Sequence, residues 1–257
     1  MNTTEIACEL LETLRAQQDI AVHCLVGDMS LDLTAQVLSA LGARISMTHD
    51  AREADDFVDR AAAVLVQVAS LSELKESGML TAVDTARRHG KPWVLQPRQA
   101  DRSIFRGELA HRLAENRPRV IYGRPKELAA IKRSVRPIEL IDLAKFSKAT
   151  VICPQKTVRI VGVLRQTELD ISSNFLATTV GMDSAISAIC ALFYAIEPDG
   201  FKAACAAMLV VQAASDRAHR AAAGPGSYPV MFLDALYALT PDTLSKVQPL
   251  EVVSTVT

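Results

Sequence analysis

Short apolar runs alternate with longer stretches of helical periodicity from residue 4 to residue 146 of this 257-residue chain, and that alternation limits its fold more than any other feature. The runs at 20–26, 45–47, 63–68, 93–95 and 119–122 are too short for core helices and lack the polar alternation of half-exposed strands. They read as strands buried on both faces. Between them, 31–41, 51–61, 72–89 and 104–116 place apolar side chains at helical spacing, with Gly42 and Gly90 as stops and Pro97 closing a strand. Residues 126–133 and 139–146 add two helices, and 4–16 forms one before the first strand, capped by a Thr. Strand–helix alternation through short connections implies a mostly parallel sheet with helices on both faces.

Residues 150–176 break the rhythm, and 158–161 with 166–169 suggest strands of an antiparallel extension. Two long Ala-rich helices, 183–196 and 200–222, follow, and their small side chains allow close packing on the sheet and on each other. A final helix spans 230–239. Without a linker or an internal repeat, residues 1–257 read as one domain.

Hydrophobic residues make up 49% of the chain, enough for a sizeable core. The net charge of −1 argues against nucleic acid or an anionic membrane as the main partner. The basic clusters at 87–89 and 132–136 read as solvated helix ends. Five scattered cysteines without a CxxC pair argue against disulfides or a zinc site and for a reducing compartment. Glu5, Glu9 and Glu12 stand where an export signal needs basic and then apolar residues, and the longest apolar stretches fall short of the roughly 20 residues of a membrane helix. The expectation is a cytoplasmic protein.

In such sheets ligands bind beyond the carboxyl ends of the strands. The positions to inspect are 23–28, 47–49, 67–71, 96–100, 122–127 and the loop entering the helix at Asp183. Several of them carry a family likeness. Val22-His23-Cys24, Thr34-Ala35, Leu38-Ser39-Ala40-Leu41-Gly42-Ala43 and Met47 resemble the opening of hydroxyethylthiazole kinases, where a "VHCITN" strand leads to a helix ending "LLALGA" and a strand ending in Met. Residues 64–71 resemble that family's "LVLNIGTL", 95–100 its "LDPVGAG", 120–127 its "IRGNASE", 179–188 its "TGTGCMLSA" and 224–239 its "GPGSF…LLDALY" ending. The ordered set spans nearly the whole chain.

The resemblance implies an α/β ribokinase-like three-layer sandwich. It implies ATP-dependent phosphorylation of 4-methyl-5-(2-hydroxyethyl)thiazole in thiamine salvage, with Mg²⁺, by a homotrimer whose sites lie between subunits. Within Val180-Gly181-Met182-Asp183-Ser184 one glycine of the anion-holding turn is kept, Gly181. The family's catalytic cysteine maps to Ser184 or, with a one-residue shift, to Asp183. A carboxylate is the better base toward an alcohol, and Asp is also a favoured helix cap.

On the nucleotide side, the family's Asp is Gln96, one glycine is Gln99, and its Arg and Asn are Tyr122 and Arg124. Its "VTG" becomes Cys153-Pro154-Gln155. Expected ATP contacts are therefore Tyr122, Arg124, Pro154 and Arg98; the two arginines are new cations suited to phosphate, or else ordinary surface residues. Glu127 is kept and is expected to order a Mg²⁺-bound water, or to be an acid stabilised by a helix dipole. Met47, Gly181, His23 and Cys24 are the expected substrate contacts, although His23 and Cys24 sit in an apolar strand where burial is the simpler role. Packing features are kept while phosphate-handling groups are replaced. That unevenness leaves three readings: a thiazole kinase, an impaired relative binding a thiazole-like ligand, and a kinase for another small alcohol.

Overall fold

In the computed structural model, which describes residues 2–17, 19–171 and 174–254, nine strands join into one sheet. They are β1 (Ala21–Leu25), β2 (Arg44–Ser46), β3 (Ala63–Gln67), β4 (Trp93–Gln96), β5 (Val120–Tyr122), β6 (Thr150–Pro154), β7 (Val158–Val161), β8 (Arg165–Leu169) and β9 (Val253–Ser254). The helices are α1 (Thr3–Ala16), α2 (Leu31–Ala40), α3 (Ala51–Arg60), α4 (Glu73–Arg88), α5 (Ile104–Glu115) and α6 (Pro125–Ile131), then α7 (Leu140–Ser147), α8 (Asn174–Thr178), α9 (Met182–Tyr194), α10 (Gly200–Ala221), α11 (Tyr228–Tyr237) and α12 (Pro241–Leu244).

The spatial order is β2-β1-β3-β4-β5-β6-β7-β8-β9. Strands β2 to β6 of that order pair in parallel and β7, β8 and β9 are antiparallel. The chain steps from β1 outward to β2, then crosses back to β3 and runs the other way. Right-handed crossovers put connecting helices on opposite faces when the direction of travel reverses. Accordingly α2 joins α1 and α9 to α12 on one face, while α3, α4, α5 and α7 cover the other. Each face has its own core: Leu11, Leu38, Phe193 and Phe232 on the first, Met79, Leu109 and Leu113 on the second.

Two expectations need correction. Residues 150–154 form β6, which pairs in parallel with β5 and extends the main sheet rather than opening the antiparallel part. The first helix is capped by Asn2, whose side chain accepts from Glu5 N while Glu5 reaches back to Asn2 N, so no Thr caps it. A short edge strand, β9, pairs with β8. As expected, α9 and α10 pack on the sheet and on each other. No helix among the described residues is long and apolar enough to cross a membrane.

Candidate active site

Every residue of α9 except Asp183 is buried, because the helix lies between the sheet and the outer helices and needs apolar surface all round. Its amino end lies beside the carboxyl ends of β3 and β5, where Ser184 meets Gln67 and Asp183 meets Tyr122 and Arg124. Gly181, the N-cap, has φ +85, a left-handed conformation that glycine adopts without penalty. This turn sits on the start of α2: a side chain at Gly181 would lie 3.5 Å from the Met29 carbonyl. The hydroxyl of Thr179, just before the turn, is buried without a partner.

Asp183 does not cap α9. Its side chain, 16% exposed, turns toward the ends of β4 and β5. Oδ2 accepts from Arg124 Nη2 at 2.8 Å and lies 3.8 Å from Arg98 Nη1, while the Tyr122 hydroxyl points at Oδ1 from 3.5 Å. One carboxylate thus gathers three of the four expected nucleotide contacts. The aspartate raises the Arg124 pKa, and burial with Asp183 nearby pushes the Tyr122 phenol well above its ordinary value. Arg98 and Arg124 are therefore not free surface arginines.

Beneath Asp183 lies a buried polar chain. Gln67, at the end of β3, accepts from Gly27 N through Oε1 at 2.6 Å. Its Nε2 donates to Gln96 Oε1 at 2.7 Å and to the Ser184 hydroxyl. The three strand ends β1, β3 and β4 are so tied to the first turn of α9. Ser184 is fully buried in this chain, and Asp183 faces the cleft. Sequence inspection reached Gln67 and Gln96 as strand-end positions but not their pairing, which links residues far apart in the chain. It also missed Lys75, which donates to Asp28 at 2.7 Å and ties the loop after β1 to α4.

The cleft in front of Asp183 has a volume of about 470 Å³ and is lined by Arg98, Gln99, Arg102, Arg124, Lys126 and Glu127 among others. Glu127 joins its two walls: Oε1 accepts from Gln99 N at 2.8 Å and Oε2 from Arg124 N at 2.9 Å. Burial raises its pKa. A larger hollow of about 650 Å³ opens beside it between α5, α6 and residues 133–137, and contains none of the Asp183 cluster.

The metal role expected of Glu127 does not fit this geometry. Both of its oxygens already accept backbone N–H groups, Gln96 offers a neutral amide, and four cationic side chains line the cleft. A nucleotide's Mg²⁺ takes phosphate oxygens, waters and one or two protein carboxylates, and here Asp183 and Asp101, like Glu127, are already engaged, by Arg124 with Arg98 and by Arg102. No group of three or more His, Cys, Asp or Glu among the described residues is placed to hold a metal.

The remaining expected contacts are scattered. His23 and Cys24 are completely buried in β1. His23 pairs with the Ser46 hydroxyl at 2.9 Å and stacks on Phe57, and burial pushes the Cys24 thiol far up. Met47 is half-buried after β2, packed against the first core, and Pro154 is half-buried at the end of β6. None of these four lines the cleft at Asp183.

Comparison with known proteins agrees with this architecture. The family model described as the hydroxyethylthiazole kinase family matches residues 11–242. A protein named hydroxyethylthiazole kinase from Pectobacterium carotovorum is 32% identical over 238 residues, covering 87% of this chain and 90% of that one. One from Cereibacter sphaeroides is 30% identical over 255 residues, covering 94% and 97%. The structure of the Pyrococcus horikoshii hydroxyethylthiazole kinase protein superposes with a TM-score of 0.88 at 23% identity, over 98% of this chain and 99% of that one. The ADP complex of Staphylococcus aureus pyridoxal kinase shares the fold at a TM-score of 0.63 and 10% identity, over 93% and 100%. A ribokinase-like superfamily protein from Enterococcus faecalis also scores 0.63, at 11% identity. With the family model spanning most of its length and relatives above 30% identity along nearly all of theirs, this chain belongs to the hydroxyethylthiazole kinase family.

Proposed function

We propose that this protein transfers the terminal phosphoryl group of ATP to the hydroxyl of hydroxyethylthiazole, in thiamine salvage. The observation that supports this reading best is the placement of Asp183: a carboxylate at the amino end of a buried helix, facing a cleft and flanked by two arginines. The alcohol's proton passes to the Asp183 carboxylate, which faces the cleft. The alcohol oxygen bonds to the terminal phosphorus as the bond to the bridging oxygen breaks, and ADP leaves. The turn at Gly181, with the amides of Gly181 and Asp183, holds the negative charge that develops on the transferring group. Arg98 and Arg124 bind phosphate oxygens, and Tyr122 and Glu127 keep that corner in shape. Met47 and the turn at Gly181 bound the thiazole side.

We further propose that residues 1–257 act as one domain, since all described strands share one sheet. A cytoplasmic enzyme suits five free cysteines, four of them buried. A homotrimer with sites between subunits suits the exposed Met29 and Val180, which flank the Gly181 turn and lack cover within one chain. Magnesium is the implied companion of ATP, yet every carboxylate of the cleft is already engaged by backbone N–H groups or arginines, so the residues present do not fit it. The test is ADP release with and without hydroxyethylthiazole. Release that needs the alcohol and yields its phosphate ester supports the reading; release indifferent to the alcohol, or none at all, rejects it.

A further inference from the structure

We infer that Arg98 and Arg124 form a direct clamp for the polyphosphate of a nucleotide that works without a divalent cation, with Asp183 as the counter-ion that the phosphate displaces. This rests on the kinase reading above and specifies how its phosphate is held.

Both guanidinium groups converge on a single oxygen, Asp183 Oδ2, from 2.8 and 3.8 Å. Two cations sharing one carboxylate oxygen are under-neutralised, and an anion with several oxygens arranged in space satisfies them better. Their side chains are 30% and 54% exposed, so a ligand in the cleft can reach both. The other cleft carboxylates do not compete. Asp101 lies 3.8 Å from Arg102, and Glu127 accepts two backbone N–H groups. Arg102 and Lys126 add positive charge to the same walls, so four cationic side chains meet three carboxylates.

The clamp is also held in position. Glu127 bonds the backbone of Gln99 and of Arg124, fixing one loop against the other, so the two arginines start from fixed points on adjacent strand ends. A preorganised cationic cleft loses less on binding an anion than a mobile one. The volume of about 470 Å³ lies within the range of small-ligand sites. When phosphate takes the arginines, Asp183 keeps only the Tyr122 hydroxyl, at Oδ1, and Oδ2 becomes available to an alcohol. Nucleotide binding thereby frees the base.

The test is titration of ATP into the protein by calorimetry, in excess EDTA and again in excess magnesium chloride, with thermal unfolding as a second readout. The expected dissociation constants agree within about threefold in the two buffers. Arg98→Ala and Arg124→Ala each weaken binding about 10- to 100-fold in both buffers, the usual loss for a charged hydrogen bond, and remain folded without ligand. Asp183→Asn, which removes the competing counter-ion, tightens ATP binding severalfold. Binding that requires magnesium overturns the inference and leaves the kinase reading standing. Binding in EDTA that neither arginine variant weakens also overturns it. Absence of binding in both buffers overturns the inference and the kinase reading together.

Discussion

Replacing Gly181 with alanine separates the two jobs of the turn before α9. At φ +85 an L-residue pays about 1–2 kcal/mol for left-handed backbone. The new Cβ adds no clash, since its nearest neighbours are the Met29 carbonyl at 3.5 Å, and Leu33 and Ser30 at 3.6 Å, all ordinary contacts. The whole stability cost is therefore conformational. For a chain of this size it lowers the melting temperature by about 2–8 °C. Turnover should suffer far more. Relief of the strain rotates the peptide groups entering α9, and losing one aligned donor to a developing charge costs about 10²–10³ in rate. Gly181→Asn is the matched control, because asparagine tolerates this conformation better than alanine and should recover much of the stability. Denaturant unfolding measures the first effect and steady-state kinetics with ATP and the thiazole alcohol the second. Wild-type turnover in Gly181→Ala would refute the assigned role of the turn. A stability loss well above 3 kcal/mol would refute the claim that only backbone strain is involved.

Four further outcomes follow from the same contacts. Gly78→Ala puts a Cβ 2.0 Å from the His49 carbonyl, so it should cost about 3 kcal/mol or more despite alanine's helix propensity, and should raise KM for the alcohol by displacing the segment that carries Met47. Gln67→Leu leaves Gly27 N, Gln96 and Ser184 without their partner and should destabilise by about 2–4 kcal/mol in urea unfolding. Burial, with His49 nearby, lowers the His23 pKa to about 4, so the unfolded chain binds the extra proton first as pH falls. Stability from this residue is complete above about pH 6.5 and falls toward pH 4, by on the order of 3 kcal/mol; His23→Gln should flatten that slope, and an unchanged slope would remove His23 as its source. Gln99, left-handed at φ 58, should gain up to about 1 kcal/mol in melting experiments when changed to glycine.

Much of this architecture is legible in the sequence, for a physical reason. Strands β1, β3, β4 and β5 are buried on both faces, so they appear as unbroken apolar runs between helices whose ends carry Gly or a polar cap. Strand β6 is harder to find. Its Val151 and Ile152 are as buried as any, yet it lies directly against an antiparallel hairpin and ends in Pro154, which blurs its boundary. Strand β9 is two exposed residues and carries no local signal. At the site, motif position alone leaves Asp183 and Ser184 as rivals. Burial separates them, because one helical step rotates Ser184 into the sheet and Asp183 into the cleft. The Gln67–Gln96–Ser184 chain and the grouping of Arg98, Tyr122 and Arg124 around one carboxylate depend on contacts across 29 to 117 residues. Sequence spacing does not encode such contacts. His23 and Cys24 show the converse: motif position suggests a ligand, while the strand's burial on both faces makes them core.

The most direct test of the account is phosphorus NMR of a reaction containing ATP, hydroxyethylthiazole and either the wild-type protein or Asp183→Asn. The account predicts a phosphate-ester resonance with the wild type, and a rate about 10²–10⁴ lower in the variant even though the variant still folds and binds ATP. An ester formed equally fast by Asp183→Asn, or no ester from the folded, ATP-bound wild type, would contradict it.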